Sequence, residues 1–288
     1  MTTLTKNRKQ PRPLMVIAVL VATAILGIFV YLYRYEPLPL ALNDYLIYGI
    51  ILLAAIAAAA PGTFLAAQFE HSEPPRRVWM IFTAGWWFWV LGELLGFYYR
   101  AKFPDGLPEL TLIDLCWTVG YLLFGLALYY QFRLIYGNRS KTGLSRYFII
   151  VGFTLLLTLG LTTLARRSGL GEGYTWFSTY LSVFYPVCDL MAGIAAIWLS
   201  ILFGRGLWGR PWWGLIAFAV ADSINIFDWL GGLEAFPVNT QNILYLASDT
   251  LYTLGYIIVA LAFLSSYWLV SYPPAGGSQP VARNAPAS

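Results

Sequence analysis

The sequence holds one histidine, His71, and two cysteines, Cys116 and Cys188. His71 falls in the polar loop QFEHSEPPRR, outside every apolar run, which removes a histidine-based triad, paired-histidine haem ligation and a histidine-rich metal site. Both cysteines lie within apolar runs, so they read as packing residues, which argues against a disulfide framework. The lysines, Lys6, Lys9, Lys102 and Lys141, all stand outside the apolar runs, which leaves none for a retinal Schiff base. No strand pattern precedes a glycine-rich turn, so a phosphate-cradling loop is absent as well. Charge is scarce: Asp, Glu, Lys and Arg make up 11% of the chain, against about 25% in typical soluble domains. The net charge of +4 is scattered over short loops with no basic stripe, which argues against nucleic acid as a partner.

What fills the space is apolar. Hydrophobic residues make up 59% of the chain, and the mean hydropathy is +0.64. Eight apolar runs can be separated: 14–33, 44–67, 78–99, 111–136, 147–165, 175–203, 212–229 and one from about 242 to the prolines at 273 and 274. This pattern predicts an all-α, polytopic membrane bundle of about eight transmembrane helices, with the lipid bilayer as its first partner. Residues 1–13 read as a basic N-terminal tail and 273–288 as a disordered C-terminal tail. The first run is too long for a secretory core and lacks a small-residue cleavage site, so it is expected to stay as a helix.

Two segments are related. Asp114–Ala127 reads DLCWTVGYLLFGLA and Asp249–Ala262 reads DTLYTLGYIIVALA, sharing Asp, Thr, Gly and Tyr at an offset of 135 residues. The same offset lays the first four runs over the last four. It predicts two parallel four-helix repeats, 14–135 and 136–272, with Glu93 opposite Asp228. Topology follows from the basic residues. Lys6, Arg8, Lys9, Arg12, Arg76, Arg77, Arg133, Arg139, Lys141, Arg146, Arg205, Arg210 and Arg283 fall on the side of the N-terminus. Arg34, Arg100, Lys102, Arg166 and Arg167 fall on the other. The excess predicts that both termini are cytoplasmic.

On that topology the acids in or near the membrane are Glu93, Asp114, Asp189, Asp222, Asp228 and Asp249, most of them towards the outer side. An ionisable group in lipid is costly and turns to a protein interior or a water-filled cavity, where it is protonated or holds a cation. Several bring polar or aromatic neighbours at helical spacing. Asp114 and Asp249 stand seven residues before Tyr121 and Tyr256, Asp189 follows Tyr185 and Pro186, Asp222 precedes Asn225, and Glu93 follows Trp89. The expected site is one outward-facing cavity lined by Asp114, Tyr121, Tyr185, Asp189, Asp222, Asn225, Asp249 and Tyr256, with Glu93 and Asp228 secondary. Carboxylates and aromatic faces together suit a cation or a hydrogen-bonding small ligand. The plainer alternative is that these acids cap helices or bond across them and only fix packing.

The segments Leu112–Leu128, Tyr185–Leu190 (YPVCDL), Ala219–Phe227 (AVADSINIF) and Ala247–Leu264 resemble the multi-helix membrane modules at the N-terminus of bacterial diguanylate cyclases, the GGDEF-type signalling proteins. That resemblance implies a sensor or receptor module in the bacterial inner membrane, without enzymatic activity of its own. No PAS, kinase or GGDEF-type segment follows Tyr272, so it also implies signalling through a separate partner protein. The competing expectations are a transporter of protons, cations or small solutes, and an accessory subunit of a larger membrane complex. No cofactor is indicated.

Overall fold

A computed structural model describes residues 12–103, 108, 110–136, 145–169, 175–203, 206–229, 233 and 236–272. The tails expected at 1–11 and 273–288 lie outside the described residues, as does most of the connection before the last helix. The helices are α1 (Arg12–Tyr35), α2 (Leu40–Ala67), α3 (Pro74–Lys102), α4 (Leu112–Tyr136), α5 (Ser145–Arg167), α6 (Trp176–Phe203), α7 (Trp213–Trp229) and α8 (Val238–Ser271), with a short 3-10 helix, Leu207–Trp212, ahead of α7. No strand occurs among the described residues. All helices but α7 have the length and hydropathy to cross a membrane, which makes this an integral membrane protein. The 17 residues of α7 rise only about 26 Å, slightly less than a typical hydrocarbon core.

Proline sets several helix starts. Pro39 and Pro237, with ψ of 137° and 147°, hold extended backbone just before α2 and α8, and Pro74 and Pro75 open α3, where a missing N–H costs nothing. The last helix therefore begins at Val238, upstream of the expected 242, because the polar turn VNTQN follows a helix-initiating proline and joins the helix. Its 34 residues make it the longest helix described.

Helix contacts trace a closed ring in the order α2, α3, α4, α6, α7, α8 and back to α2. The other two helices pack outside the ring, α1 on α8 and α2, and α5 on α6 and α4. Their exposed faces carry Leu14, Ile17 and Leu20, and Phe148, Ile149 and Leu156, an apolar surface that only lipid can cover favourably. Within the ring, Phe82, Trp86, Phe124, Trp212, Phe218 and Phe263 are all fully buried. Phe82 stacks on Trp212 at 4.2 Å between centroids, and Trp86 lies 4.7 Å from Phe124. This plug fills the half of the bundle nearer the start of α1. The half nearer the end of α1 is left for polar groups.

Two close backbone crossings hold the ring. A Cβ on Gly85 would lie 3.3 Å from the Gly120 carbonyl oxygen, and one on Gly120 the same distance from that of Gly85. In the other half, a Cβ on Gly214 would lie 2.8 Å from the Gly255 carbonyl oxygen, and one on Gly255 3.2 Å from that of Gly214. Small residues let helix backbones approach in this way. Trp89 covers Gly120 just as Phe218 covers Gly255.

Candidate functional site

The polar half contains a chamber of about 480 Å³, lined from all six ring helices. Its carboxyl groups are Glu93, Asp222 and Asp249, and its aromatic wall is Tyr48, Trp89, Trp117, Tyr121, Tyr185, Tyr252 and Tyr256. Arg100, also a lining residue, sits over the Tyr48 ring with Cζ 3.7 Å from its centroid. These residues come from the middle and end of α3, the end of α7, the first halves of α2, α4 and α6, and the first half and middle of α8, so they meet towards one end of the ring.

Each acid has its own partners. Glu93 accepts a hydrogen bond from the Tyr256 hydroxyl at 2.8 Å. Asp189 is completely buried, and its Oδ2 accepts from the Tyr121 hydroxyl. Its Oδ1 has no conventional donor. The Asp222 carboxyl group of α7 is the neighbour of the Asp189 carboxyl group across the α6–α7 contact. Asp249 is approached by the Tyr33 hydroxyl of α1. Asn225, on the exposed side of α7, reaches the Tyr252 hydroxyl at 3.4 Å and accepts from Ser248 at 3.0 Å.

Of the residues expected from sequence, Tyr121, Tyr185, Asp222, Asn225, Asp249 and Tyr256 line the chamber. Asp189 stands behind the wall, joined to it through Tyr121 and Asp222. Asp114 has a mixed role. Its Oδ2 accepts from the Thr111 N–H at 2.8 Å and hydroxyl at 3.0 Å, a cap at the start of α4. Its Oδ1 accepts from the Tyr185 hydroxyl at 2.8 Å, which orients that ring in the wall. Asp228 is not among the lining residues. Near the end of α7, it accepts from Tyr245 of α8 at 2.6 Å, a bond that the long start of α8 makes possible.

Glu93, ranked second from the sequence, is a lining residue, and so are Trp117, Tyr252, Tyr48 and Arg100, which the expected site did not include. A signal for part of this set was present. Glu93, Gly96, Phe97 and Arg100 are spaced i, i+3, i+4 and i+7, a single face of α3. Pro186 lies inside α6 and denies the Ser182 carbonyl its helical donor, and both residues line the chamber. The indole N–H groups of Trp89 and Trp117, also in the wall, are buried without a partner in the protein. The wall thus offers donors, acceptors and π-faces together. Among the described residues no cluster of His, Cys, Asp and Glu fits a metal ion.

Fold and site define an integral membrane helical bundle with a polar chamber at one end. Comparison with protein-family models, curated proteins and solved structures finds no match to this chain.

Proposed function

We propose that this protein is a receptor-like module of the bacterial inner membrane that binds a small cationic or hydrogen-bond-donating ligand in the chamber and signals through a separate partner protein. The observation that carries the reading is the convergence of Glu93, Asp222 and Asp249 with seven Tyr and Trp side chains on about 480 Å³. That volume lies within the range of small-molecule sites, about 300 to 1,000 Å³. Aromatic faces and carboxylates both favour a cation, and Arg100 at the rim limits the charge that must be matched. The excess of Lys and Arg on the N-terminal side supports cytoplasmic termini, which turns the chamber outward. The resemblance of Leu112–Leu128 and Ala247–Leu264 to signalling input modules supports the sensor role. The reading needs no catalytic group. A thermal-shift panel on the purified protein tests it: ammonium compounds should raise the melting temperature where their neutral isosteres do not. Equal response to both, or response to neither, rejects it.

A proton- or cation-coupled transporter is favoured by one specific observation, the contact between the Asp189 and Asp222 carboxyl groups. Uptake of a radiolabelled cation into proteoliposomes, driven by a pH gradient, separates transport from binding.

We also infer that the chain is built from two four-helix repeats. The pairs α1·α2, α2·α3, α3·α4, α2·α8 and α1·α8 have counterparts α5·α6, α6·α7, α7·α8, α6·α4 and α5·α4. The glycine crossings set a finer register than a constant offset. Gly120 and Phe124 correspond to Gly255 and Val259 at 135 residues, whereas Gly85 and Trp89 correspond to Gly214 and Phe218 at an offset of 129. On this reading Glu93 pairs with Asp222, whereas a constant offset pairs it with Asp228. The difference arises because the α7–α8 hairpin is six residues longer than the α3–α4 hairpin between equivalent glycines.

A further inference from the structure

A second and larger cavity, about 670 Å³, opens between α4, α5 and α6 on the outside of the ring. Its lining shares only Tyr121 with that of the chamber. Its walls are almost wholly apolar, with Leu122, Gly125, Leu128, Ile150, Leu155 and Ile194 among them. The groove runs along α4 from Tyr121, level with the middle of the bundle, to Arg133, a rise of about 18 Å. Both charged lining residues, Arg133 of α4 and Arg146 of α5, stand at that one end. Arg133 rests against the Tyr129 ring with Cζ 5.8 Å from its centroid, and the Trp198 indole donates to the Tyr136 hydroxyl at 3.0 Å beside it.

We propose that this groove is a binding site for an anionic phospholipid, with one acyl chain along α4 and the phosphate between Arg133 and Arg146. Three features select this occupant. The walls offer an acyl chain mainly dispersion contacts along about 18 Å, the length of a chain of roughly 14 carbons, with the hydroxyls of Tyr121, Tyr147 and Thr154 already donating within the protein. The two guanidinium groups mark one end only, and basic pockets between transmembrane helices suit phosphate headgroups. Trp198 and Tyr136 supply the amphipathic rings that favour the headgroup level. A phospholipid in the groove would also touch the Tyr121 ring, whose hydroxyl holds Asp189, so its presence braces one wall of the polar chamber.

The experiment is native mass spectrometry of the detergent-purified chain titrated with phosphatidylglycerol or phosphatidylcholine of equal chain length. The parent should hold phosphatidylglycerol at roughly tenfold lower concentration than phosphatidylcholine, because both lipids carry the phosphate but only phosphatidylcholine brings a choline cation, which offsets that charge and is repelled by the two guanidinium groups. Arg133→Gln with Arg146→Gln should abolish that preference, weakening phosphatidylglycerol far more than phosphatidylcholine. Gly125→Leu, which fills the groove from α4, should weaken both lipids. Melting curves in plain detergent identify any variant that fails to fold, and Arg133→Lys with Arg146→Lys, which keeps the charge, should restore most of the preference. Equal binding of the two lipids by the parent overturns the proposal, and so does an undiminished preference in a folded double-Gln variant.

Discussion

Replacing Tyr256 by Phe removes a single oxygen from the centre of the ring. Tyr256 is 1% exposed, and its hydroxyl donates to Glu93 Oε1 at 2.8 Å across the contact between α8 and α3. The ring itself remains, with its edge contacts to Trp86 at 5.8 Å and Phe218 at 5.0 Å, so packing is little changed. Interhelical hydrogen bonds in membrane proteins contribute about 0.6 kcal/mol on average and up to about 1.7. A carboxyl acceptor left without its donor adds a desolvation cost, and the expected loss is about 1 to 2 kcal/mol. Unfolding in mixed micelles measures it. A double-mutant cycle with Glu93→Ala isolates the bond, with a coupling energy of about 0.6 to 1.7 kcal/mol. Tyr121→Phe should cost more than Tyr256→Phe, because Asp189 is completely buried and its other oxygen already lacks a conventional donor. A Tyr256–Glu93 coupling within about 0.3 kcal/mol of zero would refute the reasoning, since additivity of that quality belongs to residues that do not interact.

Gly214→Ala should destabilise by roughly 1 to 3 kcal/mol in the same unfolding assay, because its Cβ would meet the Gly255 carbonyl oxygen at 2.8 Å and backbone cannot step aside. Gly160→Ala, with nothing within 4 Å, should be neutral or stabilising by up to about 1 kcal/mol. Asp222→Asn should fold like the parent, keeping a hydrogen-bonding group beside Asp189, whereas Asp222→Leu should lose roughly 1 to 3 kcal/mol by leaving Asp189 unsatisfied. A reporter fused after Tyr272 should be active only on the cytoplasmic side, and a periplasmic signal would reverse the direction in which the chamber opens.

Helix number and type were legible because lipid imposes them: long apolar runs with sparse charge have few other folds open to them. The face carrying Asp249, Tyr252 and Tyr256 was legible for the same reason, as polar residues at helical spacing must turn away from lipid. The depth of each acid was harder to read. Asp114 carries a cap and a tyrosine at once, and only tertiary geometry reveals that Tyr185 of α6 reaches it. Asp228 was expected beside Glu93 because one offset was applied to every helix. On the proposed two-repeat reading the glycine crossings pair Glu93 with Asp222 instead, and a six-residue difference in hairpin length leaves no trace in apolar sequence of little identity. The contributions of Tyr33 to Asp249 and of Arg100 to the rim were also hidden, since both depend on which helices become neighbours.

The most direct test is a binding isotherm for small organic cations, tetramethylammonium and a short aliphatic diamine, on the protein in lipid nanodiscs, read by intrinsic tryptophan fluorescence from Trp89 and Trp117. The account predicts saturable binding of at least one of these probes by the parent. It also predicts about tenfold or greater weakening in Glu93→Gln and Asp222→Asn, the cost of removing a counter-charge from an aromatic-walled chamber. Saturable binding that is indifferent to both substitutions, or no saturable binding of any cation to the folded parent, would contradict it.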